Sequence, residues 1–288
     1  MPVLRSLGTT LEMIKWEHSV LTLPFGLTGA VLAARGIPGA HQLFWIAVGL
    51  VAARSAAMSF NRLADHAFDA ANPRTRARAL PAGALSRQFV VWFVVLSSLL
   101  LVLAAAELNR LALYLSPVAL AVILLYSYTK RFTRWSHVVL GFAMGLAPAA
   151  GWVAVRGTID PRILILIAAV TFWGGGFDVL YACQDYHFDC QAGLHSVPRA
   201  FGIARALWIA RLFHVLTLTL LGLLVYTFHL GPIAMAGVVV VAVLLAYEHS
   251  LVSADDLSRL NAAFFTMNGV ISLLFLGFVT ADFVLGRH

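Results

Sequence analysis

The chain has 288 residues, of which 61% are hydrophobic and 11% are charged, and its formal net charge is +7. A water-soluble domain has about 25% charged residues, so this sequence has too few polar side chains to cover a soluble globule of its size. Two cysteines, Cys183 and Cys190, are too few for a disulfide scaffold and have no partners at metal-ligand spacing. The composition therefore predicts a membrane protein with reduced thiols.

Nine apolar runs have about the 20-residue length that a helix needs to cross the hydrocarbon core of a bilayer. They lie near 14–35, 43–60, 88–106, 111–128, 137–155, 163–182, 206–228, 231–247 and 262–284. Mostly short connections join them, which predicts an all-α polytopic bundle with a single domain over residues 1–288. The first run keeps Glu17 and His18 near its start and no small-residue cleavage site follows it, so we interpret it as an uncleaved span.

Basic residues set the expected orientation, because cytoplasmic loops are enriched in lysine and arginine. If the spans alternate, thirteen basic residues share one side: Arg5, Lys15, Arg74, Arg76, Arg78, Arg87, Lys130, Arg131, Arg134, Arg199, Arg205, Arg211 and Arg259. Five share the other side: Arg35, Arg110, Arg156, Arg162 and Arg287. This bias predicts a bacterial-type inner membrane protein with a cytoplasmic N-terminus, and it explains the positive charge without a nucleic-acid partner.

Five of the thirteen acidic residues lie at the cytoplasmic ends of the second and sixth spans. Asp65 and Asp69 form the first cluster, and Asp178, Asp185 and Asp189 form the second. The offset from Asp65 to Asp185 and from Asp69 to Asp189 is 120 residues in both cases. A duplicated unit of four helices, followed by a ninth helix, would produce this spacing.

Each cluster belongs to a polar stripe, because residues three or four apart share one helix face. The stripes are Asn61, Asp65 and Asp69 in the second span, and Asp178, Tyr181, Asp185 and Asp189 in the sixth. Neighbouring carboxylates at membrane depth repel each other unless a cation neutralises them, and oxygen ligands suit Mg²⁺. Two facing stripes therefore predict a diphosphate held between two Mg²⁺ ions. The alternative is two solvated helix ends whose carboxylates balance nearby arginines.

Basic residues on the same side could stabilise the charge of a leaving diphosphate. Arg74 and Arg78 follow the first stripe, and Lys130 closes the fourth span. For each of them the cytoplasmic bias in basic residues is an alternative explanation, and we assign Arg76 and Arg131 to that bias alone.

Arg54 lies seven residues before Asn61, on the same helical face and about 10 Å deeper in the bundle. A cation at that depth needs a partner. We expect either an acidic ligand, most simply a carboxylate, or an ion pair with Glu17 in the first span.

Together these motifs resemble the UbiA superfamily of intramembrane prenyltransferases. The family motif Asn-x-x-x-Asp-x-x-x-Asp matches residues 61–69, and Asp-x-x-Tyr-x-x-x-Asp-x-x-x-Asp matches residues 178–189. Loop strings at 72–78, 126–131 and 196–202 also resemble family loops. Residues 13–26 are similar to the 4-hydroxybenzoate polyprenyltransferase-like branch, part of which is assigned to menaquinone synthesis by the futalosine route.

The resemblance implies Mg²⁺-dependent transfer of a prenyl chain, within membrane lipid, from a polyprenyl diphosphate to an aromatic acid in ubiquinone or menaquinone synthesis. The acceptor would be 4-hydroxybenzoate or a dihydroxynaphthoate. Two Mg²⁺ ions would be held by Asp65, Asp69, Asp185 and Asp189, which with Lys130 form the implied catalytic set. The implied substrate-binding residues are Arg54, Asn61, Arg74, Arg78, Tyr126, Asp178 and Tyr181.

In the implied reaction the allylic C–O bond ionises, and the electron-rich ring attacks the resulting cation beside its hydroxyl group and loses a proton. Arg54 would hold the acceptor carboxylate. Aromatic side chains can shield the cation, and the candidates are Tyr126, Tyr181, Phe172 and Trp173. For Phe172 and Trp173, ordinary packing against lipid or in the core is the favoured alternative.

Three alternatives stay open at this point. A transporter or channel also has intramembrane ionisable groups and repeats, although its sites commonly lie at the midplane between inverted repeats. A membrane phosphotransferase also uses paired metals, but its acidic motif contains a glycine and an adjacent arginine in a pattern that is missing here. A prenyltransferase for a different lipid acceptor fits the same residues, and the prenyl chain length is open.

Overall fold

A computed structural model of the chain describes residues 2–14 and 19–286, with the backbone alone at 2–7, 19–20 and 261–266. The described residues form α-helices and short 3-10 helices, without a strand. The α-helices are α1 (Pro2–Ile14), α2 (Ser19–Ala34), α3 (Ala40–Ala64), α4 (His66–Ala71), α5 (Arg87–Leu108), α6 (Arg110–Leu125), α7 (Ser136–Arg156), α8 (Ile163–Ala182), α9 (Tyr186–Ala192), α10 (Val197–Phe201), α11 (Ile203–Thr227), α12 (Pro232–Ser250) and α13 (Leu260–Leu285). The 3-10 helices Tyr126–Arg131 and Cys183–Asp185 extend α6 and α8.

The predicted spans correspond to helices of the structure. Within the described ranges, eight segments are long and apolar enough to cross a membrane: Ala40–Ala64, Arg87–Leu108, Arg110–Arg131, Ser136–Arg156, Ile163–Ala192, Ile203–Thr227, Pro232–Ser250 and Met267–Leu285. A shorter apolar helix at Leu21–Ala34 corresponds to the predicted first span, whose residues 15–18 lie outside the described residues. The chain is thus an all-α, multi-pass membrane protein, as predicted.

Helix α7 packs closely along both α2 and α8. The contact with α2 depends on glycine: a Cβ atom on Gly29 would overlap the backbone of Pro148, and one on Gly151 would overlap the carbonyl group of Gly26. Small residues let helices approach each other in lipid, where apolar surroundings provide little net drive for association. The first helices of the two predicted repeat units therefore meet along a seam of small residues.

The two sides of the bundle are filled differently. Large apolar side chains such as Trp173, Leu180, Leu224 and Phe275 are fully buried in one cluster built from α2, α8, α11, α12 and α13. On the other side, α3, α5, α6 and α7 surround a cavity. The enclosed space thus lies beside the apolar core rather than within it.

Helices α3 and α8 both break at an aspartate. Asp65 lies between α3 and α4 with φ −96° and ψ 9°, and Asp185 precedes α9 with φ −96° and ψ 7°. These dihedrals belong to the bridge region and not to the helical region. The same conformation at two positions 120 residues apart is the structural counterpart of the predicted repeat.

The break changes one detail of the predicted stripes, which were expected to lie on continuous helices. Asp69 and Asp189 lie on the separate short helices α4 and α9. Across the first break the Asp65 N–H still donates to the Asn61 carbonyl at 2.9 Å, and the Asp69 N–H donates to the Asp65 carbonyl at 2.7 Å. The four-residue spacing of the first stripe therefore survives the break.

Helix α1 is not predicted from the sequence, because it precedes the first long apolar run. Its residues Met13 and Ile14 are buried against Leu80 and Leu85 of the connection 72–86, which joins α4 to α5. It also contacts α3. Helix α1 therefore covers a connection that the sequence predicts to contribute phosphate-binding arginines.

Candidate active site

A cavity of about 1160 Å³ brings the two acidic stripes together. At its polar end, which we call the mouth, the acidic and amide side chains are Asn61, Asp65, Asp69, Asn72, Asp178, Asp185 and Asp189, and Tyr181 lies beside them. The basic side chains there are Arg62, Arg74, Arg78, Lys130 and Arg131. Every cation that the sequence predicts to bind a diphosphate therefore lies next to the acidic stripes.

Arg74 lies in the connection that follows the first stripe, and its guanidinium binds side chains of the second stripe. Its Nε donates to Asp185 Oδ1 at 2.9 Å, its Nη2 donates to Asp185 Oδ2, and its Nη1 donates to the Tyr181 hydroxyl at 2.9 Å. Asn72 Nδ2 donates to the same Asp185 Oδ1 at 3.1 Å. Burial lowers the pKa of Arg74, but the hydrogen bonds and charge of Asp185 outweigh burial, so the pKa lies above its usual value. Arg74 is thus a permanent cation at the mouth.

The first stripe is held in a similar way by basic side chains. Arg78 Nη1 donates to Asp69 Oδ1 at 2.7 Å, and Arg62 Nη1 lies 3.7 Å from Asp69 Oδ2. Asn61 Nδ2 donates to Asp65 Oδ2 at 2.9 Å. Each of these carboxylates therefore has its own neutralising or orienting neighbour.

The surroundings of Asp65 oppose its negative charge. Burial and the charge of Asp69 raise its pKa, and Lys130 and Arg131 offset only part of that rise. Arg131 Nη2 lies 3.6 Å from Asp65 Oδ1 and donates to the Ala64 carbonyl at 2.6 Å. An additional cation near Asp65 would stabilise its ionised form.

Lys130 and Asp189 form a looser pair, with Nζ 3.9 Å from Oδ2. Asp189 is 1% exposed, so its carboxylate lies deep in the mouth. The Lys130 carbonyl accepts a hydrogen bond from the His195 N–H at 2.7 Å, which ties the end of α6 to the connection after α9. Lys130 is therefore held near both stripes by backbone contacts as well as by charge.

The carboxylates have the donor chemistry that a divalent ion requires. Oδ2 of Asp69 and Oδ2 of Asp189 are buried and accept no hydrogen bond from any residue that the structure describes. Each lies at ion-pair distance from a cation, Arg62 or Lys130, but a buried oxygen that accepts no hydrogen bond is costly, and Mg²⁺ binds such oxygens well. Within the described part of the chain, no three acidic, histidine or cysteine side chains are close enough to hold a metal on their own. The residues therefore fit an ion that takes its other ligands from water and phosphate.

Asp178 has a different environment from the other acidic residues. Its Oδ2 lies 2.6 Å from His137 Nδ1, and His137 Nε2 accepts a hydrogen bond from the Val197 N–H at 3.2 Å. Because Nε2 is the acceptor, the ring hydrogen lies on Nδ1 and donates to Asp178. The predicted substrate-binding residue Asp178 thus lines the cavity but already has a partner in the protein.

Arg54 lines the cavity below the mouth, as its position in α3 predicts. Its Nε is buried and has no hydrogen-bond partner among the described residues. None of the ion pairs between described side chains includes Arg54. The predicted alternative partner, Glu17, lies outside the described residues.

The aromatic predictions divide into two groups. Tyr126 and Tyr181 line the cavity as expected. Phe172 packs against Phe213, and Trp173 is fully buried in the apolar core, so neither lies where it could shield a cation in the cavity. The sequence alone cannot separate these cases, because both residues lie in the apolar part of the sixth span.

Four residues of the mouth or its support are missing from the sequence predictions as site residues: Arg62, Asn72, Arg131 and His137. Arg131 follows Lys130 directly, and Asn72 begins the loop string that contains Arg74 and Arg78. Their position next to predicted site residues is a sequence signal that could have identified Arg131 and Asn72. His137 has no such signal, because its partner Asp178 is 41 residues away.

Comparison with known proteins assigns this arrangement to a family. A sequence model of the UbiA prenyltransferase family matches residues 22–270, which is most of the chain. The chain belongs to the UbiA prenyltransferase family. As a UbiA family member it is a prenyltransferase, and the transporter and phosphotransferase alternatives are set aside.

Two bacterial UbiA relatives are similar to the chain over most of its length. It is 30% identical over 274 residues to the 4-hydroxybenzoate octaprenyltransferase of Tolumonas auensis, which covers 92% of this chain and 96% of that protein. It is 35% identical over 219 residues to the protein of the same name from Ectopseudomonas mendocina, with 76% and 73% covered.

Solved structures of UbiA homologs have the same fold. The apo structure of a homolog from Aeropyrum pernix superposes with a TM-score of 0.84 at 31% identity, over 92% of this chain and 98% of that one. A homolog from Archaeoglobus fulgidus bound to GPP and Mg²⁺ has a TM-score of 0.76 at 20% identity, over 96% and 99%. At that lower identity the likeness concerns the fold alone.

Proposed function

We propose that this UbiA family enzyme transfers a prenyl chain from a polyprenyl diphosphate to 4-hydroxybenzoate, in a Mg²⁺-dependent step of ubiquinone biosynthesis. The observation that carries the proposal is a single cavity that joins a mouth of paired carboxylates and cations to a long apolar interior. The names of the bacterial relatives support 4-hydroxybenzoate as the acceptor. A dihydroxynaphthoate, as in menaquinone synthesis, is the alternative acceptor.

The apolar part of the cavity supports a long prenyl chain as donor. Its lining extends along α7 from Ser136 to Val153, about 26 Å at 1.5 Å per residue. It also includes Leu108 and Ala112, where α5 ends and α6 begins. Small side chains leave room along this path: Ala104, Ala105, Ala119, Ala143, Ala147 and Ala150. The tail would therefore lie between α3, α5, α6 and α7.

At the mouth the chain would bind the diphosphate and neutralise it as it leaves. Divalent ions held by the four motif aspartates would act as Lewis acids on the diphosphate, and we propose two of them. Arg74, Arg78 and Lys130 form ion pairs with Asp185, Asp69 and Asp189. The same side chains would donate to the phosphate oxygens as the allylic C–O bond breaks. Asn61 would orient Asp65 through the hydrogen bond between them.

Arg54 would bind the carboxylate of the acceptor below the mouth. Arg54 lines the cavity, its buried Nε has no hydrogen-bond partner among the described residues, and a buried guanidinium gains most from an anionic partner. Tyr126 and Tyr181 would present ring faces near the allylic cation, which is the position that favours cation–π stabilisation. The acceptor ring carbon beside the hydroxyl would then form the new C–C bond and release its proton.

We also propose that residues 1–288 form one domain in a bacterial-type inner membrane, with the mouth on the cytoplasmic side. The basic residues Arg74, Arg78, Lys130 and Arg131 cluster at the mouth, and cytoplasmic surfaces are enriched in such residues. A water-soluble acceptor and Mg²⁺ would then reach the aspartates from the cytoplasm, while the donor stays in the lipid.

The test is an assay of the purified protein in detergent with geranyl diphosphate, Mg²⁺ and an aromatic acid. Geranylated 4-hydroxybenzoate is the expected product, and it should exceed the product from a dihydroxynaphthoate under the same conditions. Faster reaction with the dihydroxynaphthoate would move the proposal to the alternative acceptor. Absence of product from any aromatic acid, with an active control enzyme in parallel, would reject it.

A further inference from the structure

A second pocket, of about 500 Å³, lies at the opposite end of the bundle from the mouth. It is formed by the ends of α2, α7 and α11 and by the connection 157–162 that leads into α8. Its charged lining consists of Arg35, Arg156, Arg162 and Asp160, and the rest is Leu32, Trp152, Thr158, Ile159, Pro161 and Phe228. We call it the distal pocket.

The concentration of arginine in the distal pocket runs against the charge bias of the chain. The sequence places five basic residues on this side of the membrane, and three of them line this pocket. Only one acidic residue, Asp160, shares the lining. Three exposed cations around one carboxylate leave an excess of positive charge in this pocket, on the side where basic residues are otherwise scarce.

The carboxylate of Asp160 is already paired with Arg162. Arg162 donates to both Asp160 oxygens from Nε at 3.1 and 3.0 Å and from Nη2 at 2.6 Å. Arg162 also lies over the Phe228 ring, with Cζ 5.0 Å from its centroid. Arg162 and Asp160 therefore satisfy each other, and the excess charge belongs to Arg35 and Arg156.

Arg156 is held in place by backbone, whereas Arg35 is not. Arg156 Nε donates to the Ala33 carbonyl at 2.5 Å, which fixes the guanidinium at the end of α2. Among the described residues, no side chain forms an ion pair or hydrogen bond with the Arg35 guanidinium. The terminal nitrogens of Arg156 and all those of Arg35 thus remain as donors for an anion.

Trp152, in the same lining, has a buried indole N–H group. It lines the distal pocket and is 5% exposed, and its indole Nε1 has no acceptor among the described residues. The indole N–H group of a buried tryptophan usually donates a hydrogen bond, because an unpaired buried donor costs free energy. A ligand with an acceptor oxygen would satisfy this donor together with the arginines.

We propose that the distal pocket binds a phosphate group, with Arg35 and Arg156 as the charged donors and Trp152 as a neutral donor. Arginine suits the oxygens of phosphate by its planar fork of N–H groups. Two sources carry this chemistry at the membrane boundary: the head group of an anionic phospholipid and free inorganic phosphate. The apolar walls formed by Leu32, Ile159 and Phe228 would also contact the first carbons of a lipid's acyl chains.

Binding is measured by calorimetry on the purified protein in detergent with two probes, short-chain phosphatidylglycerol and inorganic phosphate. Short-chain phosphatidylcholine serves as the zwitterionic control lipid. Arg35→Gln should weaken binding of the active probe about tenfold, the effect of one charge-assisted hydrogen bond. Arg110→Gln, which removes an exposed cation on the same side outside the pocket, should leave binding unchanged.

Trp152→Phe keeps an aromatic side chain but removes the N–H group and part of the buried indole. It should weaken binding several-fold, and because the smaller ring leaves a cavity in the core, it should also lower the melting temperature of the protein. Binding of phosphatidylglycerol alone identifies the lipid, and binding of inorganic phosphate identifies the free anion. The proposal is overturned if neither probe binds, if phosphatidylcholine binds as tightly, or if Arg35→Gln and Arg110→Gln have equal effects.

Discussion

Arg74 holds Asp185 across the mouth of the cavity with two hydrogen bonds, from Nε to Oδ1 at 2.9 Å and from Nη2 to Oδ2. The two residues are 111 positions apart, so this fork joins the connection after α4 to the end of α8. It neutralises Asp185 and places a guanidinium where the charge of the proposed leaving diphosphate would develop.

Replacing Arg74 by lysine should lower kcat/KM for the prenyl donor about 10- to 100-fold, because lysine keeps the charge but cannot form the fork. Steady-state kinetics with geranyl diphosphate measures the effect. Arg76→Lys is the matched control, since Arg76 is an exposed arginine of the same connection. Similar losses in both variants would show that only the charge of the connection matters.

Neutralising one aspartate at each break should nearly abolish turnover. Asp65→Asn and Asp185→Asn each remove a negative oxygen from the mouth, and we expect kcat to fall about a thousandfold, as when a major electrostatic group of an active site is lost. Asp255→Asn, in the exposed connection between α12 and α13, should retain full activity. Turnover close to that of the wild type in both mouth variants would contradict the proposed metal sites.

Removing divalent ions with EDTA should stop the reaction without unfolding the protein. Each motif aspartate has a basic neighbour in the protein that can balance its charge: Arg131 for Asp65, Arg78 for Asp69, Arg74 for Asp185 and Lys130 for Asp189. The melting temperature in detergent should therefore change little, and added Mg²⁺ should restore turnover. Activity that survives chelation would exclude a metal-dependent step.

Arg54→Ala should raise KM for 4-hydroxybenzoate about 10- to 100-fold and change KM for the prenyl donor much less, because Arg54 lies below the mouth. A phenol that lacks the carboxylate is the control acceptor and should be insensitive to the substitution. If the donor and the acid were affected equally, Arg54 would not be the carboxylate partner.

Filling the far part of the cavity with a larger side chain should make the enzyme prefer prenyl diphosphates with shorter chains. Ala105 is a buried lining residue near the end of α5, so Ala105→Phe should reduce turnover of a long polyprenyl diphosphate about tenfold relative to geranyl diphosphate. Leu103→Phe is the control, because Leu103 is 49% exposed on the same helix. An unchanged ratio of the two donors would mean that the tail lies elsewhere.

The spans and the four motif aspartates can be predicted from the sequence because both depend on local information. Twenty apolar residues define a span, and carboxylates four apart define a stripe. The break at Asp65 is not predictable in this way, since Asp65 and Asp69 keep helical spacing and helical hydrogen bonds through it.

Contacts between distant segments are the part that sequence does not determine. Asp178 on α8 accepts its hydrogen bond from His137 on α7. Asp65, at the end of α3, lies near Arg131 of the 3-10 helix after α6. For Phe172 the apolar surroundings in the chain are the same whether the ring faces lipid, core or cavity. Only the packing of the helices separates these cases.

Helix α1 has a practical consequence for experiments on this enzyme. Met13 and Ile14 pack on Leu80 and Leu85, and these two leucines belong to the same connection as Arg74 and Arg78, for which we propose phosphate binding. An affinity tag or a deletion at the amino terminus would therefore disturb that connection rather than a neutral extension. Purification handles and truncations are better introduced at the other end of the polypeptide.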